Sequence, residues 1–158
     1  MKALKIISGG QTGVDRAALD VALKHGIQSG GWCPAGRLDE FGKIPNRYPV
    51  QELPGAGFTE RTCENVKDSE GTVVIYVREL CGGTEQTARF CVDLQRPYLL
   101  IDAPGTSVED GANMIAQFVG DNEITVLNVA GPRQSEWPEG YEYASRLLQA
   151  FVTRRSIS

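Results

Sequence analysis

The sequence predicts an α/β protein built on an open parallel sheet of about five strands with helices on both faces. Three observations point there. Strand-like apolar runs alternate five times with stretches of helical periodicity, the pattern of a parallel sheet whose crossovers are helices. The run 72–77, Thr-Val-Val-Ile-Tyr-Val, is uninterrupted and β-branched, as a central strand buried on both faces should be. Two strand-to-helix junctions are rich in glycine, at Gly9-Gly10 and at Gly82-Gly83.

The elements follow in order. Residues 4–7 read as a short buried strand that breaks into Ser8-Gly9-Gly10-Gln11-Thr12-Gly13. A helix then places Val14, Ala17, Ala18 and Val21 on one face, the i, i+3, i+4, i+7 signature. It ends near His25-Gly26, where a basic residue meets the negative end of the dipole and glycine caps the turn. Residues 27–33 supply a second strand, with Trp32 and Cys33 at or just beyond its carboxyl end.

The stretch 34–57 shows no period and holds four prolines and four glycines. Loops of this length are uncommon in compact domains and are usually functional or disordered. Phe41, Ile44, Tyr48 and Val50 argue that it is ordered, and it reads as a lid carrying Arg37, Lys43 and Arg47, with an inert Ω-loop as the alternative. Thr59 is the expected N-cap of a helix running to about Ser69, with Cys63 and Val66 inward. Arg61 falls in its first turn, where a cation is disfavoured unless an anion meets it.

After the strand at 72–77, Thr84 is the expected N-cap of a helix reaching about Gln95. Residues 97–101 form a fourth strand. Thr106-Ser107-Val108-Glu109 matches a capping box, and Val108, Ala112, Ile115 and Val119 make the inner stripe of the next helix, which Gly120 ends. Residues 124–129 form the fifth strand and run into Ala130-Gly131-Pro132-Arg133. The last helix starts from about Glu136, with Pro138 in its first turn, and buries Tyr141, Ala144, Leu148 and Phe151.

Composition bounds the function. A chain of 158 residues is naturally one domain, 1–158, able to bury a core without staples. A net charge of −4 argues against a general nucleic-acid binder. No run approaches the length of a membrane span and no signal peptide precedes Leu4, so a cytoplasmic protein without membrane association is expected. Four cysteines, Cys33, Cys63, Cys81 and Cys91, lack a Cys-x-x-Cys pair and accompany a single histidine, His25. No protein-ligated zinc is expected from such spacing. Eleven Arg against five Lys suit planar, bidentate recognition of phosphate or carboxylate.

In open parallel sheets ligands sit outside the carboxyl ends of the strands. Glycines let the backbone approach an anion, and the free N–H groups of a helix start point at it. The candidate ligand or phosphate site therefore takes Gly9, Gly10, Gln11, Thr12, Gly13, Asp15 and Arg16 from the first junction. Trp32, Arg47 and Arg61 come from the middle of the chain, then Gly82, Gly83, Thr84 and Thr87 from the second junction, then Gly131 and Arg133. The first junction is neither a P-loop nor the full dinucleotide fingerprint, since Ser8 stands where the first glycine should be. A tight turn that binds nothing is its alternative reading.

Taken together, Ser8-Gly-Gly-Gln-Thr-Gly-Val-Asp-Arg-Ala17, Gly30-Gly-Trp-Cys-Pro34, Arg47-Tyr-Pro49, Arg61-Thr62 with Asn65-Val66, Gly82-Gly-Thr84 and Asn128-Val-Ala-Gly-Pro-Arg133 resemble the family named "putative molybdenum carrier" over nearly the whole chain. That family looks like a circularly permuted branch of a Rossmann-like superfamily, which includes molybdenum cofactor carrier proteins and lysine decarboxylase-like phosphoribohydrolases. The resemblance implies a Rossmann-like three-layer fold and a phosphorylated small-molecule ligand, the molybdenum cofactor (a phosphorylated pterin) or a nucleotide. It also implies a homo-oligomer. A pterin phosphate would sit after Gly9-Gly10 or Gly82-Gly83, with Arg61 or Arg133 neutralising it and Trp32 or Tyr48 covering the ring.

The enzyme relatives carry Glu-Arg, then Ser-Asp, then Pro-Gly-Gly-x-Gly-Thr-x-x-Glu. Glu60-Arg61 and Ser69-Glu70 fit the first half. Cys81, Glu85, Gln86 and Arg89 depart from the second, and Arg89 takes the place of the catalytic glutamate. A binding or carrier protein is therefore favoured over an enzyme. The alternatives are a nucleotide phosphoribohydrolase or other nucleotide hydrolase using Glu85 or Asp15, and a nucleotide-sensing module.

Overall fold

The computed structural model of the chain describes residues 3–157; residues 1, 2 and 158 of the expected domain lie outside the described residues. Its centre is a five-stranded parallel sheet. The strands are β1 (Lys5–Ile7), β2 (Gln28–Gly30), β7 (Gly71–Tyr76), β8 (Tyr98–Asp102) and β9 (Val126–Ala130). Their order is β2-β1-β9-β7-β8, so the last strand enters between the first and the middle one. Ile7 registers with Asn128, and Val74 with Ala130. This aligns the carboxyl ends of β1, β9 and β7 along one edge. The fold is the Rossmann-like α/β sheet expected.

Helices cover both faces. On one, α5 (Gly140–Ile157) packs between α1 (Val14–Lys24) and α4 (Val108–Asp121); on the other, α2 (Phe58–Asp68) packs against α3 (Gly82–Asp93). The principal core lies between the sheet and the α1–α5–α4 layer. Ile6, Val73, Ile75, Leu127 and Val129 meet Val14, Ala18, Ala112, Ile115, Leu148 and Phe151 there. Strand alternation sends Asn128 to the opposite face, where its Nδ2 donates to Thr72 Oγ1 at 3.3 Å.

The sequence expectations shift in several places. Helix α2 is capped by Gly57 rather than Thr59, because the Glu60 carboxylate reaches back to accept the Gly57 N–H at 3.0 Å. Helix α3 starts three residues earlier than expected, with Cys81 at the N-cap and Thr84 inside the first turn. Ser107, not Thr106, caps α4, its side chain accepting the Asp110 N–H at 3.0 Å. The last helix starts at Gly140 instead of near Glu136. Turns take residues 134–136 and 138–139, with the N–H groups of Glu136 and Trp137 both donating to the Arg133 carbonyl. Tyr141 stays 38% exposed and donates its hydroxyl to Asp20.

The second strand also divides. Gly31 has φ +127°, and a Cβ there would fall 2.0 Å from the Ser8 carbonyl oxygen. The backbone crosses Ser8 too closely for any side chain. Beyond it, β3 (Trp32–Cys33) leaves the main sheet and pairs with β6 (Gln51–Glu52). Asn65 brackets the departure, accepting from the Trp32 N–H at 2.8 Å and donating to its carbonyl at 2.9 Å.

The stretch 34–57 holds a small hairpin, β4 (Leu38–Asp39) with β5 (Gly42–Lys43). Its own core joins Ile44, Tyr48 and Val50 to Leu19 and Cys33. Arg37 is the internal staple: its guanidinium donates to the carbonyls of Val50 (2.6 Å), Pro45 (2.9 Å) and Tyr48 (3.1 Å).

Candidate functional site

A cleft of about 280 Å³ opens at the carboxyl edge of the sheet, where Ala130 ends β9 and Gly131 follows it. Three helix starts converge on it. Gln11 and Asp15 come from the start of α1, and Phe58, Arg61 and Thr62 from α2. Gly83, Thr84, Gln86 and Thr87 come from α3, and Arg133 and Glu136 close the rim. The first N–H groups of a helix have no intrahelical partner and carry the positive end of its dipole, so this convergence favours an anion.

The two glycine junctions differ in what packs on them. At the first, the protein occupies its own turn. A Cβ on Gly9 would lie 1.9 Å from Arg61 Nη1, one on Gly10 3.3 Å from Ile44 Cδ1, and one on Gly13 2.5 Å from the Pro132 carbonyl oxygen. At the second, a Cβ on Gly83 would have nothing within 4 Å, and one on Gly82 would find only Glu136 Oε2 at 3.8 Å. The start of α3 is thus the open one.

Asp15 is the deepest charge. Burial pushes its carboxyl up to about 6 from the usual 3.8, against the pull of Arg61, the Gln11 and Gly9 N–H groups and Arg16. Its partner Arg61 stands 3.8 Å away, and burial lowers the arginine's pKa while Asp15 opposes the shift. The pair is long for an ion pair, and Arg61 Nε and Gln11 Oε1 have no partner although buried. Unpaired buried polar atoms are costly, and both of these belong to residues that line the cleft.

Eight of the sequence-selected residues line the cleft together: Gln11, Asp15, Arg61, Gly83, Thr84, Thr87, Gly131 and Arg133. The others lie elsewhere. The Thr12 hydroxyl donates to Glu40 and accepts the Gln134 N–H at 3.1 Å. Glu40 also takes the Ser135 N–H at 3.2 Å, and this tie holds the 34–57 segment to the chain after β9. Arg16 donates to the Gly10 carbonyl (2.9 Å) and to Asp39 (2.7 Å). Trp32 gives its indole N–H to Asp68 at 2.6 Å, and Arg47 lies over the Tyr48 ring and bonds its hydroxyl.

Glu85 is on the exposed side of α3, paired with Arg89, and does not line the cleft. Cys33 is buried under the 34–57 segment, while Cys81 lines a neighbouring hollow. Among the described residues no group of three or more His, Cys, Asp or Glu could hold a metal ion, and no helix is long and apolar enough to cross a membrane.

Sequence reasoning left out five of the lining residues, Phe58, Thr62, Gln86, Ala130 and Glu136. Phe58 and Glu136 lie outside the two glycine junctions, and no local pattern separates them from ordinary surface residues.

No curated protein matches the chain. Among solved structures, the chain is similar to a protein from Syntrophus aciditrophicus SB named "Putative molybdenum carrier protein", with 47% identity, 95% of each chain covered and a TM-score of 0.93. The model of the circularly permutated YpsA SLOG family matches residues 6–152. With the whole sheet and all five helices inside or overlapping that match, the chain belongs to the circularly permutated YpsA SLOG family.

Proposed function

We propose that this protein binds and carries a phosphorylated small molecule in the cleft, with the molybdenum cofactor the first candidate and a nucleotide the second. The observation that carries the reading is the open start of α3. Gly83 leaves room for a ligand oxygen to approach the backbone N–H groups, and Arg61 and Arg133 stand on the same cleft. Phosphate suits such a place because helix N–H groups and guanidinium donors both strengthen toward an anion. The name of the similar protein from Syntrophus aciditrophicus supports the first candidate.

The residues fit the phosphate of a pterin cofactor, and Gln11 Oε1 adds a buried acceptor without a partner beside it. The cofactor would bring its own metal ligands, since no cysteine lines the cleft. A carrier is favoured over a hydrolase because Glu85, the carboxylate nearest the position of the catalytic glutamate in the enzyme relatives, does not line the cleft.

The test is to purify the protein natively, denature it, and identify the released small molecules by mass spectrometry with metal analysis. A phosphorylated pterin with molybdenum is the expected result. A protein that releases nothing, and that binds neither pterin phosphates nor nucleotides on titration, overturns the reading.

A further inference from the structure

Phe58 is the first residue of α2, stands on the cleft and is 46% exposed. An exposed phenylalanine alone is ordinary. This one is the only aromatic among the described lining residues. The two aromatics that the sequence suggested as ring covers are committed elsewhere, Trp32 to Asp68 and the buried Tyr48 to Asp20.

The backbone that carries the ring is also held in place. The Glu60 carboxylate fixes the helix start through the Gly57 N–H, and the Thr62 hydroxyl donates to the Phe58 carbonyl at 2.7 Å. Arg61 lies three residues on, its Cζ 5.8 Å from the ring centroid. Residues at i and i+3 share a helix face, so an aromatic surface and a cation stand side by side on one wall. Gly83, with its empty Cβ position, belongs to the same cleft.

We propose that Phe58 is the ring platform of the cleft. It selects an aromatic heterocycle carrying a phosphate over a phosphate without a ring. The inference rests on the reading of the cleft as an anion site and adds the residue that would discriminate within it. A heterocycle stacked on Phe58 keeps its phosphate free to meet the start of α3 and Arg133, and the stacking is tolerant of ring identity because every such ring has a π-face.

The test is calorimetric titration of the full chain with guanosine monophosphate, adenosine monophosphate, ribose 5-phosphate and inorganic phosphate. Wild type, Phe58→Ala, Phe58→Leu and Phe58→Trp are compared, with a thermal melt for each. The expected result is tighter binding of both nucleotides than of ribose 5-phosphate. In Phe58→Ala and Phe58→Leu the nucleotides weaken by about 10-fold while ribose 5-phosphate holds its affinity, and Phe58→Trp retains the preference. Equal weakening of all four probes, or a nucleotide preference that survives Phe58→Ala, overturns the platform while leaving the anion site standing. Failure of every probe to bind wild type overturns the platform, and the anion site falls with it when a pterin phosphate also fails to bind.

Discussion

Arg61 rests on the bare backbone of Gly9: a Cβ there would come within 1.9 Å of its Nη1 and 2.7 Å of its Cζ. The missing side chain of Gly9 leaves the room that the guanidinium fills. Its φ is outside the left-handed region, so Gly9→Ala strains no backbone, and the far end of a long side chain can move aside. The variant should fold but push Arg61 out of place. Phosphate-ligand affinity should fall about 10-fold in Gly9→Ala and in Arg61→Ala, with little further loss in the double variant. Additive losses on titration would show that the two residues act separately.

The packed and open glycines should separate stability from binding. Gly13 (φ +79°) and Gly31 (φ +127°) face carbonyl oxygens at 2.5 and 2.0 Å from a would-be Cβ. Alanine at either should cost about 3 kcal/mol or more, from backbone strain and a clash with main chain that cannot yield. Gly83→Ala should be neutral or gain up to about 1 kcal/mol in denaturant unfolding, and weaken ligand binding by blocking the approach to α3.

The Glu136 carboxylate accepts from the Arg133 Nε at 3.3 Å and from the Arg133 backbone N–H at 3.0 Å, and its other oxygen lies near Gly82. It stands as a resident anion at the place proposed for the phosphate. Glu136→Gln should tighten binding of a phosphorylated probe by about 3-fold at low ionic strength, with the gain fading as salt screens the exposed charges. Weaker binding in Glu136→Gln would instead mean that the carboxylate positions Arg133 for the ligand.

Asp15 makes a pH prediction. Its folded pKa of about 6 lies above the usual 3.8, so the folded state holds the proton more tightly than the unfolded one. The stabilising contribution is complete below about pH 4 and is lost as pH rises through about 6. Measured against Asp15→Asn, wild type should lose about 3 kcal/mol of relative stability across that window. A difference that stays flat from pH 4 to 7 would exclude a raised carboxyl.

Arg37 binds three carbonyls of the 34–57 segment through short bonds. Lysine is a point charge and cannot span them. Arg37→Lys should cost about 2 kcal/mol, and hydrogen exchange should quicken first at the amides of 34–57. Unchanged exchange there would mean that Ile44, Tyr48 and Val50 hold the segment unaided.

Much of the fold was legible because periodicity is local. Residues 72–77 read as a central strand and Val14, Ala17, Ala18 and Val21 as a buried helix face, and the structure agrees. Helix starts were less legible, since a cap can be supplied from a distance: Glu60 reaches back to Gly57, and the Glu136 and Trp137 N–H groups close a turn on the Arg133 carbonyl before α5 begins. In the site, the glycine junctions and the arginines were visible as residue types. Their division of labour was not.

By itself, the sequence determined the alternation of strands and helices, the glycine-rich junctions at the carboxyl edge, and the surplus of arginine, because each is written in residue type and spacing. Only the tertiary structure decided that the first junction is filled by Arg61, Ile44 and Pro132 while the second stays open. It alone placed Phe58 on the cleft and turned Trp32 and Glu85 away from it. The physical reason is that a glycine's freedom is a local property, whereas the space beside it belongs to whatever packs there. Here that is an aperiodic segment and a side chain from another helix, and no local pattern announces either.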